Sequence, residues 1–378
     1  MISATELLPL LIWPSLVYES AAIAALLRWP QRPVNPAPYA PPVTLLKPLH
    51  GEEPELYENL RSFCLQRYPA FQIVFGVHHA SDSAVAVVRR LQDEFPPLDL
   101  QLVIDEHNIG ANRKVGNLHN MLGSARHDIL VLSDADVRVA PDYLRDVVDP
   151  LADSSVGVVT CLYRGVPDRG IGSRLLALQI NEGFAPSVLV AQRLGPNTFC
   201  GGATLALRRA TLDAIGGFAA LADHLADDYL LGARARARGL RTVLSHHLVD
   251  TRVHEDSLAS CYRHALRWSR TVRAVQPLGH AFSFLTYPLP LALLAAPLGG
   301  WGLATLGLAL ILRVALHLVA QRAWKGATRT GDWTFLAADF LGLAIWLHAL
   351  LGRQVHWRQE HFSVRADGRM EKTHGALR

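Results

Sequence analysis

Ile129-Leu130-Val131-Leu132-Ser133-Asp134-Ala135-Asp136 decides how this chain folds and where its chemistry lies. Four consecutive apolar residues have the composition of a strand buried on both faces, and two carboxylates follow at its open end. Residues i and i+2 of an extended strand project to the same side, so Asp134 and Asp136 can face one divalent cation. Mg2+ and Mn2+ prefer oxygen ligands and keep positions open for substrate phosphates, so such a cation can hold a diphosphate. A turn or a helix cap carries the same Asp-x-Asp pattern, and the surroundings have to decide.

Working outward, short apolar runs at 43–46, 73–77, 102–104 and 156–160 read as further buried strands. Helix-like segments at 55–65, 83–94 and 113–125 alternate with them. This alternation predicts an α/β domain with a largely parallel sheet covered on both faces. In such sheets ligands bind at the carboxyl ends of the strands, where Asp82 and the Asp134/Asp136 pair fall.

The chain has 378 residues, enough for one sizeable soluble domain and a second unit. Hydropathy identifies that unit as membrane helices. Residues 7–27 are nearly continuous in apolar residues with Glu19 as the one charge, long enough to cross a bilayer. Later candidates are 281–299, 301–320 and 333–351. The first segment has no basic residue ahead of it and no small-residue cleavage site, so it reads as a retained anchor. Arg28 and Arg32 follow it, which places the middle domain on the cytoplasmic side of a bacterial-type inner membrane. The predicted divisions are an anchor at 5–28, a Pro-rich linker at 29–42 and a catalytic domain at 43–277. Membrane-embedded helices at 278–352 and a basic, cytoplasmic-type tail at 353–378 complete the chain.

Three late spans would put that tail outside, although it carries Arg353, Arg358, Arg365, Arg369 and Lys372. Pro288, Pro290 and Pro297 offer a way out, since residues 282–299 can be re-entrant or interfacial. Cys64, Cys161, Cys200 and Cys261 form no CxxC pair, which argues against a zinc site and fits reduced packing residues. The net charge of +4 needs no nucleic-acid partner, because many arginines flank the membrane segments.

Further polar sites lie beside the predicted strands. Asp82, after the second strand, can cap a helix or accept hydrogen bonds from a nucleotide base or ribose. Lys114 and Asn117, in Asn112-Arg113-Lys114-Val115-Gly116-Asn117-Leu118, open a helix where a cation and helix amides can meet phosphates, or form a solvated basic turn. Asp227-Asp228-Tyr229 can cap the helix that follows, or supply a carboxylate as general base. His264-Ala265-Leu266-Arg267-Trp268 can be an interfacial helix, or can bring Arg267 and Trp268 over a diphosphate.

In this order, Asp82, Asp134-Ala135-Asp136, Asp227-Asp228 and Arg267-Trp268 resemble the signature of processive-type and lipid-type family 2 glycosyltransferases: D, DxD, D, (Q/R)xxRW. Lys47-Pro48-Leu49 with Gly51, Asn59-Leu60, Lys114 with Asn117-Leu118, Gly216-Gly217 and Asp228-Tyr229 narrow the resemblance to the ceramide glucosyltransferase-like branch. Leu46-Lys47-Pro48-Leu49-His50-Gly51, Gly110-Ala111-Asn112-Arg113-Lys114-Val115 and Arg273-Ala274-Val275-Gln276-Pro277 are most similar to the hopanoid biosynthesis-associated family. The resemblance implies a GT-A, Rossmann-like cytoplasmic domain with one N-terminal and two to three C-terminal membrane helices. It implies inverting, Mg2+- or Mn2+-dependent transfer of N-acetylglucosamine from a UDP-sugar to a hopanoid hydroxyl.

The roles it implies follow the same residues. Asp134 and Asp136 hold the metal, Asp82, Lys114, Asn117 and His264 the donor, and Asp228 is the base with Asp227 as alternative. Arg267 and Trp268 close over the diphosphate and acceptor, and segments 179–190 and 282–285 admit the lipid. His264 departs from the Gln or Arg expected there, and an imidazole lacks a guanidinium's fork of donors. The competing expectations are a ceramide glucosyltransferase using UDP-glucose and an inactive membrane-anchored binder of sugar nucleotide or lipid.

Overall fold

A computed structural model describes residues 4–29, 39–51, 53–325, 333–352, 354–357, 360–365 and 368–372. The linker expectation falls mostly on 30–38, outside the described residues, as do Arg353 and Arg358 of the tail.

Eight strands form one sheet: β1 (Val43–Pro48), β2 (Phe71–Val77), β3 (Asp99–Ile104), β4 (Ile129–Leu132), β5 (Val137–Arg138), β6 (Val156–Pro167), β7 (Leu205–Arg208) and β8 (Arg241–Val253). Their order is β3-β2-β1-β4-β7-β6-β8-β5. β1 to β4 run parallel to one another, as do β6 and β8, whereas β7 lies antiparallel between β4 and β6. The sheet is therefore mostly parallel but mixed, and the reversed strand was not anticipated from the apolar pattern.

Period-two alternation decides the two cores. Leu45, Ile73, Phe75, Val77 and Val131 enter one, and Leu46, Val74, Leu130 and Leu132 the other. The first is closed by α2 (Leu56–Cys64), α3 (Ala84–Glu94) and α5 (Tyr143–Val148). The second is closed by α4 (Arg113–Leu122), α8 (Arg209–Ala214) and α9 (Asp227–Ala237). Coverage on both faces is what a parallel sheet requires. The four cysteines are free and buried.

The remaining helices make a third body beside β6. They are α1 (Ala4–Leu27), α6 (Ile171–Leu178), α7 (Ala185–Leu194), α10 (Leu258–Val275), α11 (Pro277–Phe282), α12 (Pro288–Leu293), α13 (Gly300–Ala323) and α14 (Thr334–Leu350). Ala22, Ala25 and Leu26 of α1 pack with Val188 and Leu189 of α7, Leu316 of α13, Trp324 and Leu162 of β6. Among the described residues, α13 is the one helix long and apolar enough to cross a bilayer. Leu303, Ile311 and Leu318 on it are exposed. The helices on either side of Tyr287 form a pair bent by 62°, and Ile12–Leu27 and α14 are shorter apolar helices.

The segment expected as a basic tail contains a small antiparallel sheet of β9 (Gln354–Trp357), β10 (Glu360–Val364) and β11 (Met370–Lys372). Val355, Phe362 and Met370 pack on Leu225, just ahead of Asp227. The Met370 amide donates to Asp223 O at 2.8 Å.

Candidate active site

Gly202, in the segment between α7 and β7, is the point at which the carboxylates meet. A Cβ placed on it would lie 2.9 Å from Asp134 Oδ2, 3.0 Å from Lys114 Nζ and 3.4 Å from Asp228 Oδ2. Three groups, from the segment after β4, from α4 and from α9, thus converge on a backbone with no side chain in the way. The Gly202 amide donates to Asp228 Oδ2 at 2.7 Å, and the Tyr229 amide donates to Asp228 Oδ1 at the same distance.

Lys114, in the first turn of α4, sits inside this cluster. Its ammonium is 2.5 Å from Asp134 Oδ1 and 3.8 Å from Asp227 Oδ2. Burial disfavours its charge, yet Asp134, Asp227 and Asp228 outweigh that and raise its pKa well above the ordinary lysine value. Asn112 caps the same helix by accepting from the Val115 amide at 3.2 Å, and its own amide donates to Asp227 Oδ1 at 3.2 Å. Asp227 and Asp228 lie in the first turn of α9, where helix amides favour negative charge.

Lys114 does not by itself balance these carboxylates. Burial, with Asp227 adding to it, pushes Asp228 up to about 6. Burial, with Asp134 and Glu53 adding to it, pushes Asp136 up to about 7. Asp134 and Asp136 together are an all-oxygen donor pair in a region of excess negative charge, which suits a hard divalent cation. Among the described residues no group of three acidic, histidine or cysteine side chains forms a complete cage. A cation held there would take further ligands from a diphosphate or water.

Beneath the turn lies a residue that the sequence reading quoted without assigning it a site role. Lys47, at the end of β1, is fully buried. Its ammonium donates to Asp134 O at 2.5 Å and to Ser133 Oγ at 3.3 Å, and stands 3.8 Å above the Phe63 ring. Burial pushes this lysine down to about 7. A lysine interrupting a doubly buried strand was the signal.

The other expected site residues divide. Arg267 lies near the cluster, since Tyr163 feels Asp228, Asp136, Asp134 and Arg267 together. His264 contacts Glu255 and Arg267, and Trp268 packs edge-on against the His264 ring at 4.3 Å. Asp82 accepts from the Gly51 amide at 3.0 Å and from the Ala84 amide at 2.9 Å, which ties the loop after β1 to the start of α3. Asn117 is buried at the strand ends, donating to Gly76 O at 2.8 Å and Leu49 O at 3.4 Å. Its contacts are architectural and do not join it to the carboxylates.

With this geometry established, known proteins supply the family. The model of Glycosyl transferase family 21 matches residues 7–370. The chain belongs to glycosyl transferase family 21. The glycosyltransferase is 24% identical over 352 residues to ceramide glucosyltransferase 1 of Caenorhabditis elegans, covering 89% of this chain and 74% of that one. It is 34% identical over 113 residues to a ceramide glucosyltransferase of Komagataella phaffii, a match covering 29% of this chain and 22% of the relative. Among solved structures it is similar to a mannosyltransferase from Pyrobaculum calidifontis in complex with GDP-Man and Mn2+. The TM-score is 0.52 at 22% identity, covering 90% of this chain and 98% of that one. That likeness shows the GT-A-like fold. The glycosyltransferase is therefore a sugar-transferring enzyme of the ceramide glucosyltransferase-like kind.

Proposed function

We propose that this glycosyltransferase transfers N-acetylglucosamine from UDP-N-acetylglucosamine to a hydroxyl of a hopanoid such as bacteriohopanetetrol, with inversion at the anomeric carbon. The observation that carries a transfer reaction is the convergence of Asp134, Lys114 and Asp228 on Gly202. The resemblance of the Lys47-to-Gly51 and Gly110-to-Val115 stretches carries the choice of sugar and lipid.

Asp228 is the general base. Its two oxygens each accept one backbone amide, which fixes their direction and leaves lone pairs for the acceptor hydroxyl. Asp227 is already engaged by Asn112 and Lys114, so it serves as support. Asp134 and Asp136 would hold Mg2+ or Mn2+, which when bound offsets charge on the departing diphosphate. Lys114 and Arg267 add cationic groups on the same side, Lys47 holds the turn from beneath, and Asp82 and His264 act by positioning their neighbours.

The helical body supports a reaction at a bilayer. Exposed Leu278, Phe282, Leu294, Trp301 and Ile311 form its outer surface, suited to lipid tails and interfacial headgroups. The β9–β11 sheet rests on the catalytic domain, so the chain after that domain crosses an even number of times. α13 is long enough to cross by itself; α14, at 17 residues, would have to complete the pair across a locally thinned bilayer, with the bent pair around Tyr287 re-entrant. The catalytic domain and the tail then share the cytoplasmic face. Segment 179–190 brings Phe184 against Tyr163, with ring centroids 5.0 Å apart, and offers the lipid a route toward Asp228.

A second reading, glucose transfer from UDP-glucose to ceramide, is favoured by the names of the C. elegans and K. phaffii relatives. Membranes containing the protein would be given each donor with each lipid and the products identified by mass spectrometry. An N-acetylglucosaminyl hopanoid, lost on chelation and restored by Mn2+ or Mg2+, is expected. A glucosylceramide would keep the mechanism and change the substrate; no product from any pair would return the chain to a binding role.

A further inference from the structure

Helix α10 starts from a turn that is clamped from below. A Cβ on Gly172 would lie 2.2 Å from Ser257 O and 2.7 Å from Glu255 O, so the first turn of α6 sits directly on those carbonyls. Ser257 then caps α10 by accepting from the Ser260 amide at 3.1 Å, with the reciprocal bond completing a capping box. Glu255 is thereby held at a fixed reach from the second turn of α10. His264 Nδ1 lies 2.5 Å from Glu255 Oε1, and His264 Nε2 lies 3.1 Å from an Arg267 terminal nitrogen.

A guanidinium only donates. The contact to Nε2 is a hydrogen bond only when that nitrogen carries a bare lone pair, which puts the ring proton on Nδ1, donated to Glu255. We infer that Glu255 and His264 are positioning residues: Glu255 fixes the Nδ1–H tautomer of His264, and the bare Nε2 anchors the Arg267 guanidinium on the Tyr163 and Asp134 side of the site. This deepens the proposed transfer reaction and rests on it, because Arg267 is useful there only if charge develops on a leaving diphosphate. Burial, with Arg267 adding to it, holds the His264 imidazole below its ordinary value against the pull of Glu255, which favours the neutral ring.

The relay can be made by one of the two residues the family pattern allows at this position, glutamine, and not by the other, arginine. Glutamine reproduces both halves of the relay, with its amide NH2 donating to Glu255 and its amide oxygen accepting from Arg267. An arginine at 264 cannot accept at all.

Two measurements on the full-length protein in detergent test this. With histidine labelled by 15N, the spectrum of wild type minus that of His264→Gln isolates the His264 ring. A neutral ring with its proton on Nδ1 is expected at neutral pH; a proton on Nε2, or a doubly protonated ring, overturns the inference whether or not any sugar is transferred. In sugar transfer, His264→Ala and Glu255→Ala are each expected to lower kcat about thirtyfold, with donor KM changing far less. The double variant should be no slower than either single one, and His264→Gln should recover kcat to within about threefold of wild type. Independent, multiplying losses, or no recovery with glutamine, would overturn it. If wild type makes no glycolipid, the transfer reading falls and the 15N spectrum still decides the relay.

Discussion

Two of the places where the described residues bury charge are built differently. In the helical body, Arg313 of α13 donates from all three nitrogens: to Asp339 at 2.8 Å, to Glu182 at 2.7 Å and to Phe335 O at 3.1 Å. The other oxygen of Glu182 meets His317 Nδ1 at 2.6 Å, and Gln321 meets His317 Nε2 at 2.7 Å. Among the described residues, Asp339 Oδ2, Glu19 Oε1, Tyr18 Oη and Gln179 Nε2 are buried here without a hydrogen bond. At Gly202, by contrast, one lysine ammonium faces Asp134, Asp227 and Asp228. The Arg313 fork engages two of its neighbouring carboxylates, Asp339 and Glu182, in short ion pairs, whereas the Lys114 ammonium makes one short pair, to Asp134 at 2.5 Å, and stands 3.8 Å from Asp227, which leaves negative charge for a cation or a proton to neutralise. The first arrangement holds helices in register; the second is poised for chemistry.

The sharpest way to break this contrast is Asp228→Asn. Removing the base should cost about a thousandfold in kcat while donor affinity stays close to wild type. The fold should respond in the opposite direction. Asp228 holds its proton more tightly folded than unfolded, so its ionisation destabilises the fold as pH rises from the ordinary carboxylate value through about 6. The Asn variant should therefore melt higher than wild type at pH 8, and the difference should vanish in acid below the unfolded carboxylate value. Wild-type kcat/KM should climb with pH to a plateau above about 6. A variant that turned over normally, or that melted lower at pH 8, would remove the distinction between the two clusters.

A smaller effect is expected from Gly202→Ala. The added methyl would fall 2.9 Å from Asp134 Oδ2 and 3.0 Å from Lys114 Nζ, so those two groups must part. We expect kcat to drop by about a hundredfold from misplacement alone, with thermal unfolding little changed. Activity within twofold of wild type, on the order of assay scatter, would mean that the convergence is not used in the reaction.

Why one of these residues could be read from the chain and the other could not is a matter of range. Asp134 and Asp136 follow an apolar run, which was enough to put them at the open end of a buried strand; β4 stops at Leu132, however, and Ala135-Asp136 form a turn, so strand period two does not set their direction. β1 to β4 were legible for the same reason, as was the cover on both faces. Gly202 acquires its role only when the segment before β7 passes over α4 and α9, a crossing no local pattern encodes. β8 was not recognised because Ser245, His246, His247 and Asp250 break its alternation, and its pairing with β6 shifts register at Cys161/Leu162. Glu255 is not legible because its partner lies in the second turn of the next helix, and the contacts of Asn117 are not because Gly76 O lies on β2 and Leu49 O just past the end of β1, both distant in sequence.

The least effect on chemistry, and a large one on stability, is expected from Arg313→Leu. Removing one member of a buried network leaves the others with uncompensated charge, which costs about 3 to 5 kcal/mol. Glu182 lies in the turn that leads to Phe184, and Phe184 stacks on Tyr163 beside the carboxylates. The variant should therefore melt well below wild type in detergent, while kcat per folded molecule changes by no more than about threefold, because Asp228, Gly202 and Lys114 take their positions from the sheet and not from α13. A double change, Arg313→Leu with Glu182→Gln, should restore part of the lost stability, since it removes the charge left stranded. If instead kcat collapsed while the melting temperature held, the helical network would belong to the reaction, and the separation between a closed structural cluster and an open chemical one would have to be abandoned.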